Sequence, residues 1–344
     1  MDSITQAALG ATIGGAVAGR SLGRAAFVGG ALLGTLPDMD VVLDYGSAIA
    51  NFTQHRGFSH SLFVLVPLGV VMALAFHRWK PQLSLARWLT FTLLILVTHP
   101  LLDCLTTYGT QLFWPIGPPL GTTSIFIIDP LYTLPLLTAV IIGLCKPPAP
   151  RAQSVALALS SLYLVWALGA QAVVDQRVEH RLAEQGLADA PRMVQPMPFT
   201  TLLWRVTVLG ADERLEIVTG PLEGDQPLTV ERFPRDPVLY DRLSGFPEGQ
   251  RLIWFTKGFL DVFEQDGRLL ATDIRLGVPG AHPFTFVIAR RNGHDQWAAT
   301  TSTQEPRPTM RNDALRAFWS RLTGEAEVLC MATFEALPAG ETCS

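Results

Sequence analysis

His99-Pro-Leu-Leu-Asp103 sets an imidazole and a carboxylate four residues apart, on one face of a helix, where both can bind one ion. The pair closes an apolar run, where an unpartnered aspartate is costly. A helix cap or a helix–helix hydrogen bond is the bland alternative. His55-Arg-Gly-Phe-Ser-His-Ser61 supplies two more imidazoles. On a continuous helix His55 and His60 would diverge by roughly 140°. His55 is therefore expected in a loop, with Ser59 capping a helix that starts near His60, so that both converge on one point. Pro37-Asp-Met-Asp40, followed by Asp44, places carboxylates at the end of an apolar helix, against its macrodipole, where a cation must compensate. His77, His180, His282 and His294 lack such company and read as surface or loop residues.

The elements that must position these groups follow from an uneven charge distribution. Only 16% of the 344 residues are charged and 49% are hydrophobic, with a mean hydropathy of +0.28. Residues 1–174 hold 8 Lys/Arg and 6 Asp/Glu; the rest of the chain holds 18 and 24. A half so poor in charge cannot present an ordinary aqueous surface. The split implies an α-helical membrane domain over 1–175 and a soluble domain over 176–344. It excludes a single soluble domain, a disordered chain and a basic nucleic-acid binder. Segments 61–76, 88–103, 125–144 and 154–174 read as four membrane-spanning helices, the last two with the ~20 residues a bilayer needs. Stretches 5–19 and 25–36, rich in Gly and Ala, read as a tight N-terminal helical hairpin. A hairpin returns Asp2 to the neighbourhood of Asp38 and Asp40. Lys and Arg concentrate at 20–24, 78–87 and 146–151, which should face the cytoplasm; 37–60 and 104–124 contain Arg56 alone and should face the other side, with residues 175–344. Beyond about residue 196, alternating runs at 202–209, 215–218, 252–263, 269–276 and 284–289 predict a mostly β domain, with an amphipathic helix at 312–322. Cys330 and Cys343 can pair if that end lies in an oxidising compartment.

Asp2, Asp38, Asp40, His55, His60, His99 and Asp103 then form a mixed imidazole–carboxylate set suited to zinc or manganese, one or two ions. Arg56 can bind an anionic oxygen such as a phosphate. Thr106 and Tyr108 can donate supporting hydrogen bonds. Asp129, before Pro130, interrupts the fourth membrane segment, and its expected partner is a histidine nitrogen or Arg56, or a structural helix contact.

Met1-Asp-Ser-Ile-Thr-Gln6, Leu36-Pro-Asp-Met-Asp40, His55-Arg-Gly-Phe-Ser-His-Ser61, Thr98-His-Pro-Leu-Leu-Asp103 and Tyr108-Gly-Thr-Gln111 together resemble the YdjM-like family. These are bacterial inner-membrane proteins described as LexA-regulated metal-dependent hydrolases. Leu203-Trp-Arg205, Phe255-Thr-Lys-Gly-Phe259 and Asp273-Ile-Arg-Leu-Gly277 resemble its longer members. The family is distantly similar to zinc-dependent phospholipases C and single-strand nucleases, whose trinuclear site includes the N-terminal residue and His-x-x-x-Asp/Glu pairs. Many relatives have histidine where this chain has Gln6, a poor zinc ligand. The resemblance and the residues converge on a multi-pass inner-membrane hydrolase. Its site would lie on the periplasmic side, with Asp38 or Asp40 as base and Arg56 as the cation facing a phosphoester, lipid-linked by virtue of its location. Membrane lipids are its expected partners and nucleic acid is not. Two other classes compete: a non-catalytic scaffold tied by a structural metal, and a transporter using Asp129.

Overall fold

The computed structural model describes the chain except residues 147–149, 225, 310–312, 339–340, 342 and 344. Part of the expected 146–151 loop and the start of the expected 312–322 helix therefore lie outside the described residues. The chain forms two units. The first comprises Met1–Leu43, Gln54–Gly169 and Pro198–Thr200; the second comprises Asp44–Thr53, Ala170–Met197 and Thr201–Ser344.

The first unit is helical. Helices α1 (Ser3–Leu22) and α2 (Arg24–Thr35) meet at Gly23, whose φ of 56° few other residues adopt. They pack backbone to backbone. A Cβ on Gly10 would lie 2.2 Å from the Gly30 carbonyl oxygen, and one on Gly34 would lie 2.6 Å from that of Gln6. Pro37–Val42 follows as a 3-10 turn and a second 3-10 turn covers Phe58–His60; α3 (Ala48–Gln54), between them in sequence, belongs up to Thr53 to the second unit. Helices α4 (Leu62–Trp79) and α5 (Leu85–Asp103) are joined by a hydrogen bond from the Thr92 hydroxyl to the Gly69 carbonyl. Helix α6 is Pro130–Cys145 and α7 is Pro150–Ala183. Among the described residues three helices, α4, α5 and α7, are long and apolar enough to cross a membrane, whereas α6 has 16 residues. Sequence placed its start at 125. It begins later because Asp129 caps it and Pro130 fills the first helical position, where a missing N–H costs nothing.

Ser59 does not cap α4. Ser61 does, accepting the Phe63 N–H, which frees Ser59 for the site below.

In the second unit, β1 (Arg192–Pro196), β2 (Trp204–Leu209), β3 (Glu213–Thr219) and β4 (Val230–Pro234) form one antiparallel sheet. Its Trp204, Val206 and Ile217 pack on Val174 and Val178 of α7. Helices α8 (Pro237–Ser244) and α9 (Pro247–Thr256) lead into a second antiparallel sheet. That sheet contains β5 (Leu260–Gln265), β6 (Arg268–Asp273), β7 (Thr285–Arg291) and β8 (Trp297–Gln304). Helix α10 (Ala314–Leu322) and the short pair β9 (Val328–Leu329) and β10 (Ala336–Leu337) follow, with Cys330 bonded to Cys343. The expected strand 252–263 is half helix, because Lys257 and Gly258, at φ 55° and 81°, end α9 in a left-handed turn before β5 starts.

The motifs of the second unit are structural. Arg205 makes a two-pronged pair with Glu216 and donates to the carbonyls of Ile274 and Gly277, tying one sheet to the other. Arg275 pairs in the same way with Asp273 and reaches the Phe255 carbonyl. Phe52 of α3 rests against Phe255, Phe284 and Phe286, with ring centres 4.7–5.2 Å away. His282, read as a loop residue, is buried and donates from Nδ1 to the Leu276 carbonyl at 2.8 Å.

Candidate metal centre

Asp38 and His60, from the two 3-10 turns, and His99 and Asp103, both from α5, converge within the first unit. One ligand atom from each lies within 4.8 Å of the other three, the one such group among the described residues. His60, His99 and Asp103 are at most 1% exposed, and the Asp38 side chain is 16% exposed.

The protons on both rings follow from their outer partners. His99 Nδ1 lies 2.6 Å from the Gly34 carbonyl, which can only accept, so Nδ1 carries the hydrogen. The Ser59 hydroxyl gives its one hydrogen to Asp40 Oδ2 at 2.7 Å, so it must accept from His60 Nδ1 at 2.9 Å. In each neutral ring Nε2 is then a bare lone pair, and the two lone pairs face each other at 3.1 Å. Asp38 Oδ1 and Asp103 Oδ2 are buried with no hydrogen-bond partner. They lie 3.3 and 3.2 Å from His60 Nε2, and 3.5 and 3.3 Å from His99 Nε2. Four acceptors without a donor are unstable together. A proton can join only one pair of them; a divalent cation meets all four. Metal bonds of about 2.0–2.1 Å in a tetrahedron separate their donors by roughly 3.3–3.4 Å, and these spacings bracket that value.

Asp103 is oriented by its other oxygen. Oδ1 faces the Met1 amino group, Gln6 Nε2 at 3.2 Å and Arg56 Nη1 at 3.4 Å. Gln6 thus stands beside the group as a donor to a ligand. Arg56 is buried with φ at 61°, an uncommon conformation for a side chain of its size. Its guanidinium lies over the Tyr108 ring at 5.2 Å and reaches the Thr106 hydroxyl at 3.5 Å and the Met1 carbonyl at 3.3 Å, while its Nε has no partner. Thr106 and Tyr108 therefore stand around Arg56, as supports for it.

Three of the expected ligands are engaged elsewhere. Asp2 caps α1, accepting from the N–H groups of Ile4 and Thr5 and from the Thr5 hydroxyl. The expected hairpin brings Asp2 toward Asp38 and Asp40, but a capping aspartate turns toward its own helix, so this carboxylate stays out of the cluster. Asp40 accepts from His55 Nδ1 at 2.8 Å, from the Arg56 N–H at 3.0 Å and from Ser59. Burial raises its pKa, but these hydrogen bonds outweigh burial and hold it below the usual carboxylate range. Asp40 is thus neither a ligand nor a base with a free lone pair toward the group. His55, paired with Asp40, keeps a 27% exposed side chain and sets its ring 6.1 Å from that of His60. Asp129 caps α6 and accepts from the Tyr163 hydroxyl at 2.8 Å, with no bond to Arg56 or a histidine. Sequence reasoning missed Gly34 and gave Ser59 another task. Gly34 acts through a backbone carbonyl, which no side-chain pattern reports; the signal for Ser59 was its place between Asp40's partners and His60.

Among curated proteins, the chain is 24% identical to the uncharacterized protein YfhP of Bacillus subtilis (strain 168) over 270 residues, 75% of this chain and 79% of that one. It is 33% identical to the inner membrane protein YbcI of Escherichia coli (strain K12) over 112 residues, 32% of this chain and 64% of that one. No solved structure matches. The model of the YdjM inner membrane protein family matches residues 1–174, the stretch that carries every residue of the four-atom cluster and its supports. The chain belongs to the YdjM inner membrane protein family.

Proposed function

We propose that the chain is a metal-dependent hydrolase acting on a phosphoester at the periplasmic face of the inner membrane. The observation that carries the reading is the set of four bare acceptor atoms, each imidazole Nε2 lying 3.1–3.5 Å from the other three, with both imidazoles fixed to offer Nε2. Two imidazoles, two carboxylates and near-tetrahedral spacing favour zinc, with manganese as the alternative. A bound divalent ion would supply a water of lowered pKa as nucleophile. The remaining work falls to the chain. Arg56 offers a buried, fixed positive charge to a phosphoryl oxygen. Among the four ligands Asp38 is the most open to solvent and can take part in proton transfer. The orientation rests on the Lys/Arg bias of the loops and on the Cys330–Cys343 bond, which persists in an oxidising compartment. A fourth crossing by α6 and a membrane-embedded α1–α2 hairpin complete that topology. A site at the ends of membrane helices favours a lipid-linked ester.

One observation favours a second reading. Four protein ligands, three of them fully enclosed, are also the signature of a structural metal. The scaffold and the enzyme separate in one experiment. Detergent-purified wild type, His60→Ala and His99→Ala are analysed for metal and then assayed on a generic phosphodiester and a carboxylic ester. Metal in wild type alone, with turnover, supports the enzyme. Metal without turnover leaves the scaffold. Equal, negligible metal in all three sinks both.

A further inference from the structure

Asp40 holds two histidines by different routes. To His55 it is a direct acceptor at Nδ1; to His60 it is linked through the Ser59 hydroxyl. Each of its oxygens is occupied, and Oδ2 accepts twice, from Ser59 and from the Arg56 N–H. We propose, resting on the metal reading of the site, that Asp40 and Ser59 are positioning residues that lock His60 in the tautomer able to bind the ion. A proton on His60 can sit on either ring nitrogen. With Ser59 accepting at Nδ1, the hydrogen stays there and the Nε2 lone pair remains aimed at Asp38, His99 and Asp103. The direction of the relay is fixed by its end: a carboxylate can only accept, so the serine must donate to it and accept from the ring. His99 needs no such device, because the Gly34 carbonyl holds it directly. The two ligating histidines are therefore held independently, one by α2 backbone and one by a side-chain relay that the chain can lose without losing a ligand.

The test is zinc affinity, measured by competition with a chromophoric chelator on the detergent-solubilised apo full chain. Ser59→Ala leaves the His60 Nδ1 hydrogen without an acceptor in a fully buried place and is expected to weaken zinc binding by about 10–100-fold. Ser59→Thr keeps the hydroxyl and is expected to stay within a few-fold of wild type. His55→Ala removes the other bond to Asp40 without cutting the relay and is also expected to keep wild-type affinity. Asp40→Ala removes the acceptor at the relay's far end and should match Ser59→Ala, which keeps the test alive if the Ser59 variant does not fold. Equal zinc affinity in wild type, Ser59→Ala and Asp40→Ala overturns the relay and leaves the metal site standing. A loss in His55→Ala as large as in Ser59→Ala also overturns it, since Asp40 would then be a general clamp. A wild type that binds no zinc removes the metal reading and the relay together.

Discussion

Gly30→Ala touches no ligand, yet it should open the metal centre. A Cβ at residue 30 would sit 2.2 Å from the Gly10 carbonyl oxygen, 2.9 Å from its carbon and 3.1 Å from the Ala11 Cα, all of them backbone. Non-bonded atoms settle near 3.5 Å, so α2 must move off α1 by about 1 Å. Overpacking of this kind costs about 1–3 kcal/mol. Helix α2 carries the Gly34 carbonyl that fixes His99, and it runs through Pro37 into Asp38. Metal–ligand distances tolerate about 0.2 Å, several times less than the imposed shift. We expect a lower melting temperature and a loss of zinc affinity of at least about tenfold, the scale on which supporting contacts act. Gly29→Ala is the control. It adds the same methyl to the same helix, where the nearest atom is Phe91 Cζ at 3.7 Å, and helix propensity then favours it by up to about 1 kcal/mol. Thermal melts of apo protein and chelator competition on both variants decide the matter. Gly30→Ala with wild-type zinc affinity, or Gly29→Ala losing as much as Gly30→Ala, would refute the chain of reasoning from backbone contact to ligand geometry.

Phe52→Ala empties a place among three phenylalanine rings and should destabilise the second unit by about 3–5 kcal/mol; faster hydrogen exchange in β5–β8 is the readout, and unchanged exchange would remove 44–53 from that core. Burial, then the charge of Arg205, depress the His282 pKa to about 3 from 6.5. The unfolded chain therefore binds more protons between those values, and stability contributed by neutral His282 is whole above pH 6.5 and lost as pH falls toward 3, with a slope of at most about 1.4 kcal/mol per pH unit. His282→Asn should flatten that slope in urea titrations between pH 7 and 5, and an equal slope in both proteins counts against it. Cys343→Ser opens the bond to Cys330, which spans 13 residues, and should cost about 2–3 kcal/mol. In intact cells both thiols should resist an impermeant maleimide until reduced; labelling before reduction contradicts an oxidised, periplasmic end.

The centre was legible where chemistry lies in side-chain spacing. His99 and Asp103 share a helix face, and local geometry alone brings them together. His60 and Asp38 were legible as candidates, His60 just before an apolar helix and Asp38 just after one, where a carboxylate opposes the macrodipole. What sequence could not separate was ligand from support. Asp38 and Asp40 are two residues apart on one short 3-10 turn. Three residues per turn place them about 240° apart, so one faces the cluster and the other the 55–59 loop, and that turn is not readable from Leu-Pro-Asp-Met-Asp. In the second unit, β1, β4 and β8 went unseen because Gln195, Glu231, Arg232 and the threonines of β8 interrupt any apolar alternation. The buried Arg205 of β2 was legible as part of a motif but not in its role, because its partners lie 11–72 residues away.

The supports also rank the four ligands by how firmly each is held, which bears on whether the centre can do chemistry. His99 is fixed by a backbone carbonyl, His60 by the relay, and Asp103 by Gln6 and Arg56. Asp38 has no hydrogen bond from outside the cluster among the described residues, stands on a 3-10 turn rather than a long helix, and has the most exposed side chain of the four. A catalytic zinc differs from a structural one in keeping a position that water or substrate can take. If one donor must yield that position, it is the one held least, and it is also the one facing solvent. Three locked ligands and one free to yield is the arrangement a hydrolase needs; four locked ligands would have spoken for the scaffold.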